Sequence, residues 1–188
     1  MTGELVAWTC AGSFTVYAVV ASRLRGRVTK GRRTIARGAA ISQLLPYGIF
    51  VPYAVIALRP GPELPFSDPI RWVGLGLVVS GIALSIWSAT TLGRHYDLEV
   101  EVHEGHELVD RGPFAIVRHP VYLGLAVHFI GACLATGNWL LIAGTLFVSF
   151  PALYVRAREE ERLLRTQLGA VYDAYVRRVP MLVPLTRF

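Results

Sequence analysis

The sequence is poor in charged residues, which make up 17% of its 188 residues, and it contains only two cysteines. Soluble domains carry about 25% charged residues, so this composition does not predict a protein surrounded by water. Two cysteines exclude a disulfide-rich scaffold, and 18 glycines with 11 prolines exclude a collagen-like chain. Because 53% of the residues are hydrophobic, the chain is also not intrinsically disordered.

Five apolar segments that lack Lys, Arg, Asp and Glu predict membrane-spanning helices. They are residues 5–22, 39–58, 72–92, 120–136 and 139–155. Each approaches the roughly 20 residues that cross a bilayer as a helix. We therefore predict an all-α, integral-membrane helical bundle of about five spanning helices. Gly137 and Asn138 should join the last two in a tight hairpin. Small residues in the third segment favour close helix contact: Gly74, Gly76, Ser80 and Gly81.

The basic residues are divided unequally between the two sides of the predicted bundle. Of 19 Lys and Arg, only two lie in residues 59–71, and the rest lie in segments 23–38, 93–119 and 156–188. The positive-inside rule places these three segments in the cytoplasm, with the N-terminus outside and the C-terminus inside. Membrane lipids then account for the net charge of +6, so no nucleic-acid partner is predicted. Short loops favour a bacterial inner membrane.

Two of the cytoplasmic segments hold most of the ionisable residues that packing does not explain. Residues 93–124 contain four of the five histidines, and residues 156–175 contain Arg156 and Glu160 one helical turn apart, where they can pair. His119 begins the fourth span and Arg156 follows the fifth, so the hairpin should bring both segments together. Alternating apolar and polar residues over 98–103 predict a short strand or an extended loop.

The residue spacing in these segments does not favour a metal site or a catalytic nucleophile. His95, His103, His106 and His119 are potential metal ligands, but His106 follows His103 one position too early for the H-E-x-x-H motif. No G-x-S-x-G motif is present, and neither cysteine has a neighbouring histidine. We therefore assign no metal ligands, and a metal-dependent membrane hydrolase using the histidine cluster is kept as an alternative.

Several ordered motifs resemble one group of membrane enzymes. Residues 118–124 read RHPVYLG and match R-H-P-x-Y-x-G, and residues 160–175 match E-E-x(7)-G-x-x-Y-x-x-Y. Shorter matches lie at residues 92–94, 105–113 and 179–184. Together they resemble the isoprenylcysteine carboxyl methyltransferase and phospholipid methyltransferase group. From the apolar segments, residues 1–91 are predicted to be three membrane spans with a basic cytoplasmic loop, and the resemblance begins at residue 92. Residues 92–188 are the methyltransferase core, with a cytoplasmic cofactor-binding region and a C-terminal helix.

The resemblance implies S-adenosylmethionine as the methyl donor, bound between the R-H-P-x-Y and E-E segments. It implies Glu160 at the donor's amino group, Arg156 orienting the donor or the acceptor, and His119 at the donor's polar end or ribose. Tyr122 is expected to pack on the donor, because it lies one turn along the same helix. Further donor contacts are expected from two other side chains and two backbones: Glu161, His106, and the backbones of Leu108 and Val109.

The implied acceptor is lipid-like, because an apolar tail explains why the enzyme is in the membrane. Candidates are the carboxylate of a prenylated or other lipophilic substrate, a phenolic lipid hydroxyl, and an amino headgroup. A carboxylate needs no base, whereas a phenol or thiol would need His119 or His95 to remove its proton. A non-catalytic membrane scaffold that keeps the methyltransferase fold is the second alternative.

Overall fold

The computed structural model describes residues 3–28, 34–37, 62–93, 101–103 and 108–183. These parts contain five helices, which we number in chain order: α1 Gly3–Val28, α2 Asp68–Leu92, α3 Pro120–Thr136, α4 Trp139–Leu168 and α5 Ala170–Arg178. Helix α4 is α-helical over Trp139–Gly144 and Phe150–Leu168, with a π-helical stretch at Thr145–Ser149 between them. A single 3-10 turn covers Gly112–Ala115. The strands are β1 Thr34–Arg37 and β2 Glu101–His103.

The helical architecture confirms the prediction from hydrophobicity. Helix α3 has the predicted bounds, because a proline begins it and a glycine ends it. Among the described helices, α2 and α4 are long and apolar enough to cross a membrane, and α3 is a shorter apolar helix of 17 residues. Helix α4 continues well past the apolar stretch that ends at residue 155, since strong helix formers follow it. The second predicted span, 39–58, lies outside the described residues, so the count of five stays a prediction.

A two-stranded antiparallel ribbon adds to the helices. In its register Ala36 lies opposite Val102 and Arg37 lies opposite Glu101. The short strand predicted within 98–103 is confirmed for Glu101–His103, whereas β1 was not predicted. The ribbon joins the basic segment after α1 to the segment between α2 and α3. It therefore places these two segments at the same end of the helices, and β2 contacts the Phe150–Leu168 part of α4.

Helices α2 and α3 pack at very short range because glycines face each other in two places. Gly74 faces Gly131, and Gly81 faces Gly124. A Cβ atom on Gly74 would lie 2.7 Å from the carbonyl oxygen of Gly131, and one on Gly81 would lie 2.5 Å from that of Gly124. The prediction of close contact is confirmed for these two glycines of α2. At Gly76 a Cβ would meet none of the described atoms within 4 Å, so this residue takes no part in the contact between α2 and α3.

The turn between α3 and α4 is built by Gly137 and Asn138, as predicted. Gly137 has a φ of +66°, which side chains with a Cβ rarely adopt. The Asn138 side chain accepts hydrogen bonds from the backbone N–H groups of Leu140 (3.0 Å) and Leu141 (3.1 Å), and so caps α4. The Leu64 N–H donates to the Gly137 carbonyl at 2.8 Å, so the segment before α2, which contains Pro62 and Pro65, lies against this turn.

Candidate active site

The start of α3 is where the candidate site begins. Pro120 occupies the first helical position, and a proline disfavours helical geometry in the residue before it. His119 accordingly has φ −123° and ψ 62°, so the chain changes direction there. As a result, Arg118 and His119 contact α4 and α5, while Tyr122 follows one turn later on the same side.

A buried ion pair joins this segment to α4. The Arg118 Nε and Nη2 atoms lie 2.7 and 2.6 Å from Oε1 of Glu161. The side chain of Arg118 is 9% exposed, and that of Glu161 is 4% exposed. Burial alone would raise the pKa of the Glu161 carboxyl, but His119 and Arg118 outweigh burial and lower that pKa. The carboxylate is therefore ionised at neutral pH. Removing one partner of such a pair costs about 3–5 kcal/mol, because the other charge stays buried.

The same arginine also holds the C-terminal part of the described chain. Its Nη1 donates to the carbonyl of Val179 at 2.5 Å and to that of Val176 at 3.3 Å. The Arg118 backbone N–H donates to the Pro180 carbonyl at 2.9 Å, and the His119 N–H donates to the Met181 carbonyl at 3.1 Å. Arg118 thus joins three elements, the start of α3, the polar end of α4 and the end of α5.

The second carboxylate of α4 has a different partner. The Tyr122 hydroxyl donates to Oε2 of Glu160 at 2.8 Å, and it accepts a hydrogen bond from Nε of Arg156 at 3.0 Å. The expected association of Arg156 with Glu160 therefore runs through the Tyr122 hydroxyl between them. Arg156 is buried, but the Glu160 side chain is 36% exposed. Glu160 consequently presents a carboxylate of fixed orientation to a ligand.

His119 lies between the two carboxylates. Its Nδ1 is 3.7 Å from Oε2 of Glu160, and its Nε2 is 3.4 Å from Oε1 of Glu161. Its ring stacks on that of Tyr122, with centroids 5.4 Å apart and planes inclined by 10°. The ring is buried, and Nε2 has no hydrogen-bond partner of acceptable geometry within the described parts of the chain.

Two tyrosines of α5 complete the buried surroundings. The Tyr175 hydroxyl donates to the Phe114 carbonyl at 2.7 Å, which anchors α5 to the 3-10 turn. The Tyr172 hydroxyl is fully buried and has no hydrogen-bond partner among the residues described. Burial first, and then the charges of Glu161 and Glu160, raise the pKa of Tyr172, so this phenol is protonated at neutral pH.

The structure brings five of the predicted site residues into one cluster. They are Arg156, Glu160, Glu161, His119 and Tyr122. Leu108 is half-buried against the tyrosines of α5, and Val109 is half-buried beside it. His106 and His95 lie outside the described residues, as does the side chain of His103. Within the described ranges, this cluster included, no three His, Cys, Asp or Glu side chains are placed to share a metal ion.

Sequence reasoning assigned no role to three residues that the structure places in or around the cluster: Arg118, Tyr172 and Tyr175. All three occupy defined positions of the R-H-P and Y-x-x-Y motifs, and these motif positions are the sequence feature that could have identified them. Their partners lie 43 to 61 residues away in sequence for Arg118 and 61 residues away for Tyr175. No local pattern indicates such pairings.

Comparison with known proteins shows what the chain is similar to. The sequence profile of the isoprenylcysteine carboxyl methyltransferase (ICMT) family matches residues 73–166. The chain is 25% identical over 189 residues to a probable protein-S-isoprenylcysteine O-methyltransferase of Oryza sativa subsp. indica, covering 95% of this chain and 96% of the relative. It is 29% identical over 163 residues to protein-S-isoprenylcysteine O-methyltransferase B of Arabidopsis thaliana, covering 84% and 79%. It is 41% identical over 135 residues to methanethiol S-methyltransferase 2 of Bradyrhizobium diazoefficiens, covering 66% and 51%.

Proposed function

Since this chain belongs to the isoprenylcysteine carboxyl methyltransferase family and is a methyltransferase, we propose that it transfers a methyl group from S-adenosylmethionine to a lipid-like acceptor at the cytoplasmic face of a membrane. The observation that carries this proposal is the cluster at the polar end of α4. There, a half-exposed carboxylate is held by Tyr122 and Arg156 beside a buried histidine.

The residues present suit this donor. S-adenosylmethionine carries an ammonium and a sulfonium, and when bound it supplies an electrophilic methyl group. Glu160 would bind the ammonium, because its carboxylate is oriented by Tyr122 and remains accessible. His119 offers Nε2, which has no hydrogen-bond partner among the described residues, to a polar group of the donor. The backbones of Leu108 and Val109, with His106 beyond the described residues, are proposed at the adenine.

Two residues of the cluster are proposed to position others. Oε1 of Glu161 is taken by Arg118, so Glu161 holds the R-H-P segment against α4. Its Oε2, which lies 3.8 Å from Nη1 of Arg158, is the oxygen proposed to face the donor. Arg156 is buried behind Tyr122 and fixes the orientation of the Tyr122 hydroxyl and hence of Glu160. Such fixed geometry matters, because holding reactants in line can supply about 7–11 kcal/mol of a reaction barrier.

The distribution of charge supports a cytoplasmic site. The ribbon of β1 and β2 joins two of the basic segments, and the cluster stands at the start of the third, where α4 changes from apolar to charged. All three would face the cytoplasm under the positive-inside rule. We propose the same orientation as the sequence predicts, with the N-terminus outside, and a bacterial inner membrane as the location.

The acceptor is proposed to reach the site from the bilayer. Helix α4 exposes apolar side chains just before its charged part, among them Phe147 at 80% exposure, Tyr154 and Val155. An apolar tail can lie against such a surface, while the reactive group meets the donor in a site with little water. We favour a carboxylate acceptor, because it needs no base and because two of the relatives above are isoprenylcysteine O-methyltransferases.

A thiol is the second candidate acceptor. The relative with 41% identity is a methanethiol S-methyltransferase, although this chain spans only 51% of its length. A thiol must lose its proton to react well, and His119 is the histidine placed to accept one. The two acceptors differ in product, since a carboxylate gives an ester and a thiol gives a thioether. The product is isolated from membranes after transfer of a labelled methyl group. Mild alkali releases the label from an ester but not from a thioether, so this treatment distinguishes the two acceptors.

The donor site is tested by titrating S-adenosylhomocysteine into the purified protein in nanodiscs. Wild type should bind, and Glu160→Gln should bind at least about tenfold more weakly, because a hydrogen bond to a charged group contributes about 1.5–3 kcal/mol. Glu159→Gln is the matched control. The neighbouring Glu159 lies outside the cluster, and its Oε1 is 3.2 Å from Nη2 of Arg162. Folded wild-type protein that binds nothing, even with lipid extract added, would instead favour a non-catalytic scaffold.

A further inference from the structure

Within the described part of the chain, the Tyr172 hydroxyl makes no hydrogen bond. The residue is 1% exposed, and its oxygen has no hydrogen-bond partner in the part of the chain that the structure describes. Most buried side-chain polar atoms in proteins are hydrogen-bonded, and phenylalanine would fill nearly the same volume without an unsatisfied hydroxyl. We therefore expect the hydroxyl to have a hydrogen-bond partner other than the described residues.

A second unpartnered atom borders the same carboxylate. Nε2 of His119 lies 3.4 Å from Oε1 of Glu161 and is likewise without a hydrogen-bond partner among the described residues. Tyr172 packs with Val179 and Leu164 next to the pair of Arg118 and Glu161, since Arg118 donates to the Val179 carbonyl. The raised pKa of Tyr172 keeps its hydroxyl protonated, so it has a hydrogen to donate. Two buried polar atoms without partners among the described residues, both close to the pair of Arg118 and Glu161, are the arrangement expected when a ligand completes the hydrogen bonds.

We propose that Tyr172 is a donor-binding residue, and that its hydroxyl and Nε2 of His119 together contact the ribose diol of S-adenosylmethionine. The inference rests on the proposed function and adds a residue to it. A ribose hydroxyl can accept a hydrogen bond from Tyr172 and donate one to a carboxylate or a histidine nitrogen. The donor's own carboxylate fits less well, because Glu160 and Glu161 repel it and the guanidinium of Arg118 is already occupied.

Tyr175 supplies a matched control on the same helix. Its ring centroid is 6.0 Å from that of Tyr172, and it is equally buried. Its hydroxyl, however, donates to the Phe114 carbonyl at 2.7 Å and so has its partner within the protein. Loss of the two hydroxyls should therefore have opposite effects on stability and on ligand binding.

The experiment measures the Kd for S-adenosylhomocysteine and the Tm of the ligand-free protein in nanodiscs. Tyr172→Phe should raise the Kd about tenfold and leave the Tm unchanged or higher, because an unsatisfied hydroxyl is removed. Tyr175→Phe should lower the Tm and leave the Kd unchanged. The inference is overturned if Tyr172→Phe binds as wild type does, or if it lowers the ligand-free Tm as Tyr175→Phe does.

Methylthioadenosine identifies the part of the donor that Tyr172 contacts, since it keeps the ribose and lacks the amino-acid end. Tyr172→Phe should weaken binding of this probe and of S-adenosylhomocysteine by the same factor, whereas Glu160→Gln should weaken only the latter. An effect of Tyr172→Phe on S-adenosylhomocysteine alone would overturn the ribose assignment. Wild type that binds neither ligand would overturn the proposed function itself, which is a separate outcome.

Discussion

Replacing Arg118 by methionine removes the guanidinium that joins α3, α4 and α5. Methionine keeps most of the side-chain length, so the change is chiefly one of charge and hydrogen bonding. Glu161 would be left with its carboxylate 4% exposed and without its close partner. The carbonyls of Val176 and Val179 would lose the donor they share.

The expected loss of unfolding free energy follows from these contacts. Breaking a buried ion pair costs about 3–5 kcal/mol, because the remaining charge stays desolvated. Glu161→Gln should cost less, since Arg118 keeps its bonds to the two carbonyls of α5. The double variant leaves neither charge of this pair without its partner, so its loss should be smaller than the sum of the single losses by about 1–3 kcal/mol.

The assay is unfolding by SDS titration in mixed micelles, followed by the fluorescence of the four tryptophans. Wild type, both single variants and the double variant form one thermodynamic cycle. Losses in the two single variants that add within about 0.5 kcal/mol would refute the reasoning, because independent residues behave in that way. A loss below about 1 kcal/mol for Arg118→Met would refute it as well, since surface ion pairs have that magnitude.

Three further predictions concern other parts of the molecule. Gly81→Ala should lower the free energy of unfolding by about 1–3 kcal/mol through overpacking of α2 on α3, whereas Gly76→Ala, whose Cβ would meet none of the described atoms within 4 Å, should not lower it. Asn138→Ala should cost about 0.5–2 kcal/mol by removing the cap of α4, measured in the same SDS titration. Because the pKa of Glu161 is lowered on folding, its contribution should be complete above its ordinary value of 4.5 and be lost as the pH falls below it. Glu161→Gln should abolish that part of the acid dependence of Tm, and an unchanged acid dependence would contradict it.

Much of the helical framework could be predicted from the sequence, because it depends on local composition. Long runs without charge predict α2 and α4, and a proline and a glycine set the two ends of α3. The turn at Gly137 and Asn138 is equally local, since it needs a positive φ and a side-chain cap. The short strand β2 follows from alternation, but β1 carries no such signal, because its pairing with β2 is a tertiary contact.

The motifs indicated which segments form the site, but not the roles of residues within them. Glu160 and Glu161 are adjacent and chemically equal in the sequence. On a helix they point about 100° apart, and only the packing of α3 and α5 on α4 distinguishes them. That packing pairs Glu161 with Arg118 in the interior, and it leaves Glu160 at the surface beside Tyr122. The sequence therefore determined the helices and the chemistry that is available. The tertiary structure decided which carboxylate holds the fold together and which one is open to a ligand, because burial and partners depend on residues far apart in the chain.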